Sequence, residues 1–88
     1  MQLNEATYRA HDQYLNHVLR CTSCYPPTKR YCYDGSGLHD RYLAHFLMSE
    51  DLHTRRTYLA RLEPVDPTRC EALKTLLLEI HESEKNAA

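Results

Sequence analysis

The feature that most restricts the fold of this chain is the placement of its helix-breaking residues. Its 88 residues include only two glycines, Gly35 and Gly37. The four prolines form two pairs, Pro26 with Pro27 and Pro64 with Pro67. The stretches outside these two places are rich in Leu, Glu, Arg and Ala, which favour helices. A β-sheet protein needs turn residues at closer intervals. The sequence therefore predicts an all-α fold, a small bundle of three or four helices.

Hydrophobic spacing and proline positions place the first half of this bundle. A first helix is expected over 4–24, with Asn4 as its N-cap, because the residue before Pro26 is disfavoured in the α conformation. A loop follows, in which Gly35 is expected to adopt a left-handed conformation. The second helix is expected to begin at Ser36 or Gly37.

The second half carries clearer boundary signals. Ser49 is followed by two acids, which is typical of a new helix start, so a break is expected there. One long helix over 37–62 is the alternative. Asp66 as N-cap and Pro67 at the first helical position open the last helix. The polar residues 82–88 are expected to fray, and the whole chain, 1–88, is expected to form a single domain.

The main chemical motif is a set of cysteines and a histidine around the first proline pair. On a helix, His17, Cys21 and Cys24 share one face, and the proline loop can return Cys32 to the same point. Three thiolates and one imidazole form a closed, structural zinc site, so the sequence predicts a zinc-stapled loop between the first two helices. The alternatives are His39 as the fourth ligand, or reduced core thiols without a metal.

The same residues belong to a longer pattern. Tyr14-x2-His17-x3-Cys21-x2-Cys24, followed by Cys32-x2-Gly35-x2-Leu38, resembles a motif of short uncharacterised bacterial, plasmid and phage proteins. The resemblance covers residues 14–38 and implies the same ligand set, with Gly35 and Leu38 as framework. It implies a zinc site and no particular activity.

Cys70, which lies in an apolar stripe of the last helix, is expected to be a buried thiol.

Several function classes have no support in the sequence. It contains no nucleophile elbow, phosphate loop or His-Glu-x-x-His motif, so we expect a non-enzymatic protein. A net charge of −1 lacks the basic excess of a dedicated duplex-DNA binder. The longest uninterrupted aliphatic run is 76–78, so no membrane span is expected, and the N-terminus has no leader pattern. A cytoplasmic location is the expectation.

The expected function is binding to another macromolecule, most readily a protein, as a regulator, adaptor or inhibitor, such as an accessory protein of a phage or plasmid. Tyr and Arg are typical of protein–protein hot spots. A nucleic-acid-binding module that uses the zinc loop (25–34) and the Arg-rich helix (52–62) is the alternative. Leu78 lies off the main apolar stripe, which has two interpretations: a homodimer through the last helix, or contact of Leu78 with the first helix. The candidate partner-binding residues are Lys29, Arg30, Tyr31, Arg55 and Arg56.

Overall fold

The computed structural model describes residues 5–87, which form four α-helices and no strand. The helices are α1 (Glu5–Val18), α2 (Tyr33–Ser49), α3 (Leu52–Leu62) and α4 (Pro67–Ala87), with one turn of 3-10 helix at Pro26–Thr28. This confirms the predicted all-α fold and the position of the Cys/His cluster between the first two helices. The expected N-cap Asn4 lies outside the described residues.

The first helix is shorter than predicted. The expected helix over 4–24 ends at Val18, where the amides of Arg20 and Cys21 both donate to the carbonyl oxygen of His17, at 3.0 and 2.9 Å. This pairing closes a tight turn and leaves the cysteines on irregular backbone. Thr22 and Ser23 follow, and such residues compete with the helix for backbone hydrogen bonds. Cys21 and Cys24 are therefore carried by turns and not by a helix face.

The second helix begins earlier than predicted, at Tyr33, so that both glycines lie inside its first two turns. Among residues 5–87 no glycine has a positive φ. The expected left-handed conformation of Gly35 is therefore wrong. The left-handed residue is Lys29, with a φ of 57°, at the end of the 3-10 turn.

The break between α2 and α3 is confirmed, and the single helix over 37–62 is wrong. The helix cap is Asp51, whose Oδ1 accepts a hydrogen bond of 2.7 Å from the amide of Thr54. Ser49 instead donates its hydroxyl to the carbonyl oxygen of Phe46 at 2.6 Å. An acidic N-cap is favourable here because it satisfies a free amide and also interacts with the helix dipole.

The start of α4 is as predicted, and its end is not. Oδ1 of Asp66 accepts from the amide of Arg69 at 3.1 Å, and Pro67 is the first helical residue. The helix then continues to Ala87, through the segment 82–87 that was expected to fray. Glu and Lys favour helices, and Lys85 in the last turn suits the helix dipole. Although α4 has 21 residues, no helix within 5–87 is long and apolar enough to cross a membrane.

The chain divides into two compact units, Met1–Leu43 and Ala44–Ala88. The described part of the first unit contains α1, the cysteine-bearing loop and the beginning of α2. The second contains the end of α2 and the α3–α4 pair, which pack against each other. The buried apolar side chains of the second unit are Ala44, Leu47, Cys70, Leu73, Leu77 and Ile80. The expectation of one domain over 1–88 stays a prediction.

Candidate metal centre

Four side chains from three consecutive segments meet in the first unit. His17 belongs to the last turn of α1, Cys21 and Cys24 to the turns after it, and Cys32 directly precedes α2. Their potential ligand atoms, three Sγ and one imidazole nitrogen, all lie within 4.8 Å of one another. Cys24 is buried, and the other three are half-buried. The structure thus brings together the four residues that the sequence predicts as a ligand set.

The distances within the cluster fit a tetrahedral thiolate site. Sγ of Cys32 lies 3.7 Å from Sγ of Cys21 and 3.7 Å from Sγ of Cys24. A tetrahedral zinc with bonds to sulfur of about 2.3 Å has edges between sulfurs of about 3.8 Å. Nε2 of His17 lies 3.1 Å from the Cys32 sulfur, a little inside the corresponding edge between nitrogen and sulfur. Because a disulfide bond is about 2.0 Å long, these sulfurs are separate thiols.

Backbone amides point at the sulfurs and favour their ionised form. The amide of Gly35 donates to the Cys32 sulfur at 3.3 Å, and the amide of Cys32 donates to the Cys24 sulfur at 3.4 Å. The Gly35 amide and the His17 side chain together lower the pKa of Cys32. The backbone amide of Ser23 lowers the pKa of Cys21. Two of the three thiols are therefore disposed to act as thiolates, which is the form that binds a metal.

Cys24 differs from the other two cysteines. The amide of Cys32 lowers its pKa, but burial and the neighbouring sulfurs of Cys21 and Cys32 outweigh that effect, so the pKa of Cys24 is raised. Several negative sulfurs in such a small volume repel one another. A divalent cation bound among the sulfurs removes this repulsion, so the cluster is better suited to a metal than to free thiolates.

Gly35 is required by the close approach of α2 to the ligands. A Cβ atom on Gly35 would lie 2.6 Å from the Cys24 sulfur and 3.3 Å from Cδ2 of His17. At Gly37, by contrast, a Cβ would meet nothing within 4 Å. The sequence predicts a special role for Gly35, but its reason is the space that the ligands occupy and not the backbone conformation.

The alternative fourth ligand, His39, is placed elsewhere. Its ring stacks on that of Tyr31, with centroids 5.1 Å apart, and meets the edge of the Tyr14 ring at 5.5 Å. Its Nδ1 lies 3.5 Å from a carboxylate oxygen of Asp40. Within residues 5–87 the histidine that completes the sulfur cluster is therefore His17.

An aromatic cluster, which the sequence does not predict, packs beside the Cys/His cluster. The hydroxyls of Tyr14 and Tyr31 are hydrogen-bonded at 2.8 Å, and Tyr42 stacks against Tyr14 with centroids 6.2 Å apart. Burial and this hydrogen bond raise the pKa of Tyr14, so its phenol stays protonated at neutral pH. Because Tyr31 directly precedes Cys32, the cluster joins α1 and α2 to the loop beside a ligand. Three tyrosines spread over 14–42 carry no spacing signal that predicts this contact.

The fourth cysteine lies outside the cluster, as predicted. Cys70 is completely buried in α4, and its thiol donates to the carbonyl oxygen of Leu59 at 3.5 Å. It is a buried thiol of the second unit, which confirms the sequence interpretation.

The predicted partner-binding residues fall in two places. Lys29 and Arg30 are exposed on the loop of the metal centre, whereas Tyr31 is half-buried in the aromatic cluster. Arg55 and Arg56 lie on α3 in the second unit. Neither of these arginines forms an ion pair within the part of the chain that the structure describes. Partner binding at these residues stays a prediction.

No family model, curated protein or solved structure matches this chain.

Proposed function

We propose that the protein is a small zinc protein, in which the metal holds the loop between α1 and α2, and that it acts without catalysis by binding another protein. The observation that carries the proposal is the cluster of His17, Cys21, Cys24 and Cys32, with sulfur–sulfur edges of 3.7 Å. Thiolate ligands favour zinc or iron–sulfur chemistry over magnesium and calcium. A mixed set of three sulfurs and one imidazole suits zinc.

The number of ligands supports a structural role for the metal. A catalytic zinc usually has three protein ligands and keeps one position for water or substrate. Here four side chains converge, and amides of the chain already point at two of the sulfurs. A metal held in this way has no free position for a reactant. Its role is then to shape the loop that it closes.

The loop around the metal presents the residue types that protein partners recognise. Tyr33 is 94% exposed, and Leu19 and Tyr25 are also large exposed side chains beside the cluster. Lys29 and Arg30 are exposed on the same loop. Rigid aromatic groups and arginines dominate the binding energy of protein interfaces. We therefore propose this loop as the primary partner surface of a regulator, adaptor or inhibitor, and the motif resemblance supports a phage or plasmid accessory role.

Binding of single-stranded nucleic acid is the second candidate, because the exposed tyrosines Tyr25 and Tyr33 flank the exposed cations Lys29 and Arg30. Aromatic platforms with neighbouring cations are typical of such sites. The net charge of −1 weighs against it, because phosphate binding needs a clear basic surface.

The test uses affinity capture from the native host, followed by binding of the isolated partner to variants of the zinc-loaded protein. Elemental analysis is expected to find one zinc per chain. Tyr33→Ala is expected to weaken partner binding, whereas Tyr58→Ala on α3 leaves it unchanged, and neither changes the zinc content. Equal effects of the two variants contradict the proposed surface. Salt-sensitive binding to oligonucleotides, lost in Lys29→Ala and Arg30→Ala, would favour the second candidate instead.

A further inference from the structure

The second unit carries an apolar groove that is separate from the metal centre. It has a volume of about 510 Å³ and lies between α3 and α4, next to the end of α2. Leu52 and Leu78 contribute to it and are 51% and 65% exposed. The remaining apolar lining comes from Met48, Leu59 and Leu77. Exposed leucines gathered in one groove, and not scattered singly, are typical of a binding surface.

The shape of the groove suits a helix. A channel between two packed helices can receive the apolar face of a third helix, whose side chains at positions i, i+3 or i+4, and i+7 point into it. Met48 adds an adaptable thioether at one end. Leu78 lies off the stripe that α4 buries, which is formed by Cys70, Leu73, Leu77 and Ile80.

The charged side chains that line the groove are all basic. Its charged lining residues are Arg55, Arg56 and Lys74, and none of its lining residues is acidic. Lys74 is compensated by Glu71 at 3.3 Å and by Glu63 at 3.7 Å. Neither arginine forms an ion pair within residues 5–87, but Arg55 interacts electrostatically with Asp51, so the free positive charge at the groove rests chiefly on Arg56.

Arg55 is also held in place. Its Nη1 donates to the carbonyl oxygen of Met48 at 3.3 Å and lies 3.7 Å from the sulfur of the same residue. This contact satisfies a carbonyl in the last turn of α2. A guanidinium already fixed at the rim loses less freedom when it pairs with a carboxylate.

We propose that this groove binds an acidic amphipathic helix of a partner protein. Leucine-like side chains of that helix would fill the apolar floor, and its carboxylates would pair with Arg55 and Arg56. The inference rests on the proposed protein-binding function and deepens it, because it specifies the chemistry of the partner for the arginine-bearing surface.

A second copy of this chain is a poorer occupant than a foreign helix. Among the described side chains of α4, at 67–85, Leu78 is the only large apolar one that is exposed, because Leu73, Leu77 and Ile80 are buried within the protomer. One leucine does not make the row of anchors that a helix-binding groove needs. The predicted homodimer through the last helix is therefore an outcome that the test must distinguish.

The test measures fluorescence anisotropy of labelled peptides with the zinc-loaded, full-length protein. The probe is a helical peptide of about 16 residues with leucines at i, i+3, i+4 and i+7 and glutamates elsewhere. A peptide with lysine in place of glutamate and a scrambled peptide of the acidic composition are the controls. We expect micromolar binding of the acidic amphipathic peptide and none of the two controls.

Matched variants locate the binding. Arg56→Glu is expected to weaken binding of the acidic peptide about tenfold. Arg61→Glu, which makes the same change on α3 but outside the groove lining, is expected to leave it unchanged. Leu78→Asp is expected to abolish binding of the acidic peptide. Val65→Asp, which changes another exposed apolar residue, is expected to leave that binding unchanged. Circular dichroism checks that each variant is folded.

Three results would overturn the inference. These are equal binding of the acidic and basic peptides, no binding of any peptide by the folded protein, and a dimeric mass that Leu78→Asp makes monomeric. The last result assigns the groove to a second copy. None of these results changes what is expected for binding of the captured partner to Tyr33→Ala. Failure of the groove proposal and failure of the proposed function are therefore separate outcomes.

Discussion

At Gly35 the backbone of α2 passes so close to the metal ligands that a side chain would overlap them. The Cβ of an alanine would lie 2.6 Å from the Cys24 sulfur, a distance at which something must shift. The residue also donates its amide to Cys32. We expect Gly35→Ala to weaken metal binding and lower the free energy of unfolding, because it displaces two ligands at once. Competition with a chelating dye and urea titration measure the two effects.

Gly37→Ala is the matched control, two residues along the same helix. Its Cβ would meet nothing within 4 Å, so only the backbone effect remains. Replacing a helical glycine by alanine stabilises a helix by up to about 1 kcal/mol. We expect Gly37→Ala to keep the metal affinity and to raise stability. If both variants behaved alike, the close approach at Gly35 would not be what limits the site.

The four ligands could be predicted from the sequence because they lie close together along the chain. A single chain reversal, at the loop after Cys24, brings Cys32 back to the other three. The spacing to Cys21 favours His17 over His39, but it leaves His39, seven residues after Cys32, as an alternative ligand. The choice depends on Tyr31 and Tyr14, which hold the ring of His39 against the aromatic cluster. That contact joins residues distant in the sequence, and no local pattern carries it.

Among the helices, the boundaries that were predicted well are those with a local chemical signal. Asp66 with Pro67 caps α4, and the Ser49 region separates α2 from α3. Two of the wrong boundaries, the end of α1 and the start of α2, flank the ligands. There the chain leaves or enters the helix to bring Cys21, Cys24 and Cys32 together. Helix propensity alone does not determine such ends, because the backbone must leave the helix where the ligands come together.

The start of α3 depends on one carboxylate. Oδ1 of Asp51 accepts from the Thr54 amide, and that hydrogen bond lowers the pKa of Asp51. We expect Asp51→Ala to reduce the free energy of unfolding in urea at neutral pH, while Asp51→Asn retains most of the cap. Glu50→Ala, at the adjacent acid, is the control and is expected to have little effect.

The same cap gives a pH dependence of defined sign. Because the folded pKa of Asp51 lies below that of an unfolded aspartate, about 3.9, its charge stabilises the fold fully above that value. The contribution is lost as the pH falls through the lower, folded pKa. The stability difference between the native protein and Asp51→Asn is therefore expected to be constant at neutral pH and to change only in this acidic range. A change already near neutral pH would contradict this account of the cap.

Over the whole molecule, the two units are stabilised in different ways. The large buried side chains Leu47, Leu73, Leu77 and Ile80 belong to the second unit. In the described part of the first unit the buried residues are small: Thr7, Ala10, Cys24 and Gly35. Structural zinc in small peptides contributes an apparent binding free energy of about 10–16 kcal/mol. A metal bound at the cluster can therefore supply stability that large buried apolar side chains supply in the second unit.

This difference predicts a local response to metal removal. If the proposed zinc is bound, chelation or Cys24→Ser is expected to remove it and to abolish amide protection from hydrogen exchange around 14–38, while α3 and α4 keep most of their protection. Cys70→Ser is the matched cysteine control. It replaces a completely buried thiol of α4, so it is expected to lower the protection of α3 and α4 and to leave the zinc content unchanged. Elemental analysis and hydrogen exchange followed by mass spectrometry measure both effects. Full protection of 14–38 in metal-free protein would show that packing alone holds this segment, and the structural role of the metal would then be wrong.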